Sequence, residues 1–110
     1  MLEKKRYLLV EIVVENARSN NSRLSEREAK HLLYAAVFEF LGELGAACAR
    51  LRFKAFDEQA QRAIVKCSAD SLEQVIAAFA LKRFHYFGQQ RAGVSLRVRK
   101  ASGLFAKLAR

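Results

Sequence analysis

The chain of 110 residues contains no proline and no tryptophan, and only five glycines and two cysteines. Because proline is absent, the main signals that end helices and strands are glycines and clusters of polar residues. Cys48 and Cys67 form no CxxC pair and lie far in sequence from His31 and His85, which is poor spacing for a metal site. Because each cysteine lies within an apolar stretch, we expect both to be buried free thiols.

Carboxylates are absent from residue 74 to the C-terminus, although this segment carries eight Lys and Arg side chains. Residues 1–45 hold seven basic and seven acidic side chains, whereas residues 46–110 hold thirteen and four, so the formal net charge of +9 comes from the second part. Such an excess attracts phosphates through charge and counterion release. The distribution predicts a polyanionic partner, with a generic solvated basic face as the alternative.

Long apolar runs are also absent, since none approaches the roughly 20 residues needed to span a bilayer. The N-terminus has no signal-peptide layout. A chain of 110 residues has the size of one domain, so we predict a single domain over residues 1–110. We expect the protein in the cytoplasm, with no membrane partner.

The first two predicted elements are a strand and a helix. Residues 6–14 (RYLLVEIVV) are rich in β-branched and large apolar side chains, which favours a central strand. After a polar loop, Ser25 and Glu28 match a capping box at the start of a helix. Apolar residues then recur at helical spacing, and we expect Gly42 and Gly45 to end the helix because a left-handed cap costs glycine little.

Two further strands are predicted to form an antiparallel hairpin. Residues 49–56 alternate between apolar and basic side chains, the period expected of a strand with one packed and one solvated face. Phe56 belongs to the solvated set in this alternation. Residues 62–67 repeat the pattern after a polar turn.

The last part of the chain is predicted to hold a helix, a strand and a short basic helix. Asp70 is the expected N-cap of the first of these, while residues 84–93 remain unassigned. Residues 94–99 alternate as a strand, and a short C-terminal helix follows Ser102 and Gly103. The order β-α-β-β-α-β-α predicts an α+β, ferredoxin-like βαββαβ sandwich, similar to an RNA-recognition motif, with helices on one face of an antiparallel sheet.

The uncovered sheet face then carries most of the strand cations. An RNA-recognition motif needs aromatic rings on its central strands to stack bases, and the third strand, residues 62–67, has none. We therefore expect contacts with RNA backbone and shape, because cations engage phosphate without reading sequence. The predicted RNA-binding residues are Arg50, Arg52, Lys54, Arg62, Lys66, Arg97, Arg99 and Lys100.

No local motif supplies catalytic machinery. The chain offers no Ser/His/Asp arrangement, and the short segment 42–45 fits a helix end better than a phosphate loop. We expect His31 and His85 to contact solvent or a partner. Glu11, in an otherwise apolar strand, has two readings: it pairs with an arginine of a neighbouring strand, or it marks a surface used by a partner.

The chain contains four short segments in a fixed order: RYLL at residues 6–9, GELGAA at 42–47, IVKC at 64–67 and SG at 102–103. Together they resemble protein component 2 of ribonuclease P, a family shared by archaea and eukaryotes. The resemblance runs over nearly the full length, and the short chain fits an archaeal form. One departure is Leu104, where many members have Thr after the Ser-Gly pair.

The resemblance implies a non-catalytic subunit of an RNA enzyme that removes the 5′ leader of precursor tRNA. The catalytic RNA would use Mg²⁺, and the protein would bind no cofactor itself. The family also implies a TIM-barrel-like protein partner and self-association of two such pairs into a heterotetramer. Alternatives are another small basic ribonucleoprotein assembly protein, a ferredoxin-like ligand-binding regulatory domain or, least favoured, an independent nuclease. The predicted partner-contact residues are Phe84, Tyr86, Phe87, Leu104, Phe105 and Leu108.

Overall fold

The computed structural model describes residues 4–15 and 23–105. They form an antiparallel sheet of five strands with two α-helices, which confirms the predicted α+β class. Across the sheet the strand order is β2-β3-β1-β5-β4, and every neighbouring pair is antiparallel. The elements are β1 (Lys5–Glu15), α1 (Glu26–Ala49), β2 (Arg52–Asp57), β3 (Arg62–Ser68), α2 (Leu72–Leu81), β4 (Phe84–Phe87) and β5 (Gln90–Ser102).

Strand β1 lies at the centre of the sheet, as its apolar composition predicts. Its residues Leu8, Val10 and Ile12 are buried and belong to the core formed with both helices. Successive side chains of a strand point to opposite faces, so Leu9 and Glu11 lie on the other face, which the helices leave uncovered. We call that second surface the open face.

Helix α1 starts as predicted but ends later. The Ser25–Glu28 capping box is present in both directions. Gly42 has a positive φ and interrupts the helix (φ 73°, ψ −179°), so the prediction of a helix end there holds for the first helical segment. A second segment follows the kink and continues to Ala49, so the prediction that the helix stops at Gly42 and Gly45 is wrong for the whole element. A Cβ on Gly45 would lie 2.7 Å from the Leu41 Cβ, so the chain after the kink requires glycine there.

The length and composition of α1 would allow it to cross a membrane, since an 18-residue window has a mean hydropathy of 1.5. The core helix of a globular domain meets the same criterion. Here α1 packs against the sheet, with Leu32, Leu33 and Val37 in the core. Core packing accounts for only part of its apolar character, because Phe38, Phe40 and Leu44 of the same helix are exposed.

Strand β2 starts at Arg52, three residues later than predicted, because Arg50 serves as the left-handed C-cap of α1 (φ 51°). The register between β2 and β3 shifts around Lys54, where β2 holds one extra residue. After this bulge Phe56 pairs with Ala63 and packs against the core. The predicted solvated position of Phe56 is therefore wrong, since a bulge reverses the alternation that follows it.

A second bulge lies in β5. Val98 pairs with Val10 of β1, but Lys100 pairs with the next residue, Leu9, so Arg99 is the extra residue. Strict alternation would put Lys100 on the face of Val98, toward the core. The bulge instead places Lys100 beside Leu9 on the open face.

The unassigned segment 84–93 forms an additional edge hairpin. Its chain runs through β4, turns at Gly88 with a positive φ of 69°, and returns as β5.

Upstream, Asp70 lies in a 3₁₀ turn and Ser71 is the N-cap of α2, so the predicted cap position was wrong by one residue. Part of the predicted polar loop (residues 16–22) and of the predicted C-terminal helix (residues 106–110) lies outside the described residues.

Candidate nucleic-acid interface

Five cationic side chains lie close together at the end of the sheet where β1 begins and β3 ends. The register brings them together, since Lys5 pairs with Ser68 and Lys66 pairs with Arg52. They surround a cleft of about 220 Å³, which we call the basic cleft. Its lining residues are Lys4, Lys5, Arg50, Arg52, Lys66, Cys67 and Ser68.

The charge of the basic cleft is of one sign. In the described ranges 4–15 and 23–105, no carboxylate lines it. Burial raises the pKa of the Cys67 thiol to about 11, against a smaller opposing effect of the Arg6 guanidinium, so the thiol stays neutral. Cations held this close repel one another, and a phosphate group between them relieves that repulsion. The cleft is therefore suited to bind a polyanion.

Sequence reasoning missed Lys4 and Lys5. They belong to the electrically neutral first part of the chain, so the charge distribution did not single them out. Antiparallel pairing of β1 with β3 carries them to Lys66. The available signal was their position directly before the first strand, since the predicted fold places that end of β1 beside the end of β3.

A carboxylate occupies a different part of the open face. Glu11 Oε2 lies 3.5 Å from an Arg62 guanidinium nitrogen on β3, and its Oε1 lies 3.7 Å from one of Arg99 on β5. We call these three residues the Glu11 cluster. The prediction that Glu11 pairs with an arginine of a neighbouring strand is confirmed. Both arginines remain about half exposed, so each ion pair contributes only about 0–1 kcal/mol to stability.

The predicted RNA-binding residues therefore divide into three sets. Arg50, Arg52 and Lys66 line the basic cleft, although Arg50 reaches it from the end of α1 and not from a strand. Arg62 and Arg99 belong to the Glu11 cluster. The exposed residues Lys54, Arg97 and Lys100 lie on β2 and β5 outside both groups.

One aromatic pair lies beside the basic cleft. Tyr7 of β1 pairs with Lys66 on one side and Ser102 on the other. Its ring meets Phe105 edge to face at 5.6 Å. The backbone N–H of Leu104 donates to the Ser102 hydroxyl at 3.0 Å, which holds the chain after β5.

The predicted partner-contact residues differ in exposure. Phe84 and Tyr86, on the same side of β4, are 51% and 61% exposed, whereas Phe87 packs against the core. An Arg91 guanidinium lies 4.0 Å from the centre of the Phe84 ring. Leu104 is also exposed. Leu108 lies outside the described residues.

The two histidines are neighbours in the structure. His31 Nδ1 of α1 and His85 Nε2 of β4 are 3.3 Å apart. His85 is 6% exposed and also meets the Phe87 ring edge to face, so the predicted contact with solvent or a partner is wrong for this residue. Burial lowers the pKa of His85, the Lys82 and His31 charges lower it further, and Glu39 opposes the shift.

Lys82 is also buried, at 4% exposure, and its ammonium group donates to the Glu39 carboxylate at 2.5 Å. The counter-charge of this cation, which belongs to the carboxylate-free C-terminal segment, therefore lies on α1.

The two cysteines are free, but only Cys67 is buried, and the predicted burial of Cys48 is wrong. Cys48 lies in the last turns of α1, beyond the kink that sequence reasoning treated as the helix end.

A solved structure contains a chain with a similar fold. A chain in the cryo-EM structure of yeast ribonuclease MRP superposes with a TM-score of 0.67, over 94% of this chain and 76% of that one. The two sequences are 10% identical, so this likeness concerns the fold alone.

Curated relatives are similar in sequence. Ribonuclease P protein component 2 of Pyrococcus furiosus is 32% identical over 79 residues, and that of Pyrococcus abyssi is 30% identical over 79 residues. Each match covers 72% of this chain but only 61% and 62% of the respective relatives. The model of the Rpp14/Pop5 family matches residues 6–110. The chain therefore belongs to the Rpp14/Pop5 family.

Proposed function

We propose that this chain is a protein subunit of ribonuclease P that binds the catalytic RNA through the basic cleft. The observation that carries the proposal is the convergence of five cations on one cleft in a member of the Rpp14/Pop5 family. The names of the Pyrococcus relatives point to the same ribonucleoprotein. Its substrate is precursor tRNA, from which the RNA removes the 5′ leader.

The protein acts on the RNA by electrostatics. Fixed cations next to a folded RNA lower the repulsion between its phosphates, which stabilises the active shape and favours binding of the Mg²⁺ ions that assist cleavage. Contacts of Arg and Lys with phosphate position the RNA and read no sequence. The protein itself contributes no active site and no cofactor, and works in the cytoplasm.

The protein partner is a TIM-barrel-like subunit, and two such pairs associate into a heterotetramer. The exposed rings of Phe84 and Tyr86 support an apolar contact surface on β4, with Leu104, Phe105 and Leu108 as further candidates. The order β2-β3-β1-β5 of the other strands supports a ferredoxin-like arrangement. Strand β4 lies at the edge of that arrangement and adds the apolar surface to it.

The test is multiple-turnover cleavage of precursor tRNA by the cognate catalytic RNA at modest Mg²⁺ concentration. The reaction is run with this protein and its TIM-barrel-like partner, with each alone, and without either. We expect stimulation only when the RNA and both proteins are present. No stimulation, with the protein pair formed and the RNA folded, would refute the proposal in favour of another basic ribonucleoprotein role.

Cleft variants connect the stimulation to the site. The double substitution Arg52→Ala and Lys66→Ala removes two cations of the basic cleft. The matched control, Lys30→Ala with Arg83→Ala, removes the same charge from exposed positions outside the open face, on α1 and just before β4. We expect the cleft variant to need more protein for half-maximal stimulation and the control to behave as the original chain.

A further inference from the structure

The histidine pair has the geometry of a shared metal ligand set. Two nitrogens bound to one Zn²⁺ at about 2.0–2.1 Å and at the tetrahedral angle lie about 3.3–3.4 Å apart. His31 Nδ1 and His85 Nε2 are 3.3 Å apart. Each neutral imidazole carries one proton, which occupies either ring nitrogen. When the proton of each ring lies on the outer nitrogen, both facing nitrogens present lone pairs.

Space for an ion and its water ligands lies beside the two rings. A cleft of about 220 Å³ is lined by both histidines, Glu28, Tyr86 and Phe87, together with Arg27 and Gly88. Glu28 is one helical turn before His31 and brings a carboxylate to the wall of the cleft, with one oxygen accepting from the Ser25 N–H. The negative charge of Glu28 offsets the positive charge of Arg27.

We propose that His31 and His85 form a binding site for one divalent transition-metal ion, Zn²⁺ or Cu²⁺, that joins α1 to β4. Imidazole is a ligand that suits both ions. In residues 4–15 and 23–105, no group of three or more His, Cys, Asp and Glu is placed to hold an ion. Water therefore completes the coordination, and the affinity is lower than that of structural sites with four protein ligands.

Binding would act on the edge hairpin. Strand β4 is four residues long and pairs only with β5 within the described sheet. An ion shared by His31 and His85 would fix β4 directly to α1. It would thereby stabilise the strand that presents Phe84 and Tyr86, without contact with the basic cleft.

The sequence makes this site easy to test, because the chain has only two histidines. The full chain carrying Cys48→Ser, which removes the exposed thiol, is titrated with Zn²⁺ by calorimetry at neutral pH. Its Cu²⁺ complex is studied by electron paramagnetic resonance. We expect one ion per chain and superhyperfine splitting from two imidazole nitrogens, one from each of the two histidines.

His31→Gln is the decisive variant, because His31 is exposed and its replacement leaves the core intact. We expect at least a tenfold loss of Zn²⁺ affinity and the loss of one nitrogen from the Cu²⁺ spectrum. Lys30→Gln, on the adjacent exposed position, is the matched control. Unchanged affinity in His31→Gln, or a spectrum without two nitrogens in the parent chain, would show that the pair forms a hydrogen bond only. The assay contains no RNA, so its outcome is independent of the ribonuclease P proposal.

Discussion

The basic cleft and the Glu11 cluster use the same kinds of side chain and lie on neighbouring parts of one sheet, yet their charge differs. Five cations line the cleft, and the described residues add no carboxylate to its lining. In the Glu11 cluster one carboxylate bridges arginines from the strands on both sides. A cation already near a carboxylate gains less from a phosphate, so position on the open face alone does not define an RNA-binding residue.

Strand register creates this difference. Glu11 pairs with Arg62 on β3. On β5 its register partner is Arg97, but the arginine that reaches its carboxylate is Arg99, the extra residue of the bulge. Four residues earlier along β1, the residue that pairs with Lys66 in the strand register is Tyr7, which is not a carboxylate. The comparison predicts a ranked series of effects on RNA binding.

The largest effect is expected from the basic cleft. Arg52→Ala with Lys66→Ala should weaken binding of the catalytic RNA about tenfold or more. The plot of log affinity against log salt should also become less steep. Its slope should fall in magnitude by about two, since each lost phosphate contact reduces the magnitude by about one. Filter binding or fluorescence anisotropy at several salt concentrations measures both quantities. An unchanged slope would remove the cleft from the interface.

A smaller effect is expected from Arg97→Ala with Arg99→Ala. The same formal charge is removed, but Arg99 is already near Glu11. We therefore expect the slope to fall by about one and not by two. If both double variants lower the slope equally, the carboxylate does not compete with RNA and the distinction between the two regions fails.

Glu11→Gln tests the carboxylate directly and should act in the opposite direction. Removing its charge releases Arg62 and Arg99 for phosphate, so RNA affinity should rise a few-fold and the salt slope should steepen. Stability should change by no more than about 1 kcal/mol, because the ion pairs are partly exposed. Urea unfolding checks the stability, and the matched double variant Arg62→Ala with Arg99→Ala should abolish the gain in affinity.

Much of this arrangement followed from the sequence, and the failures have local causes. The apolar composition of residues 6–14 correctly predicted β1. The alternation of apolar and basic residues correctly predicted the β2–β3 hairpin and the last strand, because this period follows from burial on one face. The capping box correctly marked the start of α1. Pairing of Glu11 with an arginine followed from a lone carboxylate in a strand with basic neighbours.

The errors arise where one residue changes the geometry of an element. Gly42 interrupts the first helical segment of α1, but a second segment follows the kink and extends the helix to Ala49. Arg99 is an extra residue in β5, and strict alternation has no means of showing it. The proximity of His31 and His85 depends on β4, a four-residue strand too short to produce a periodic signal. Tertiary pairing, not local pattern, decides these features.

The smallest effect on the comparison is expected from pH, because neither the basic cleft nor the Glu11 cluster contains a histidine. His85 has a lowered pKa in the folded chain, below the ordinary value of 6.5 for histidine. Between that lowered pKa and 6.5 the unfolded chain binds more protons, so stability is fully present above pH 6.5 and falls as the pH drops below it. The urea midpoint should therefore be lower at pH 5.5 than at pH 7.5.

Ring signals in an NMR titration identify the group responsible, and the two histidines are distinguished with His31→Gln. His85 should titrate below 6.5, since burial and the cation of Lys82 both disfavour its charged form. A His85 signal that titrates at or above 6.5 would contradict the environment described here. Because Lys and Arg stay charged across this pH range, the ranking of the cleft and cluster variants in RNA binding should be the same at both pH values.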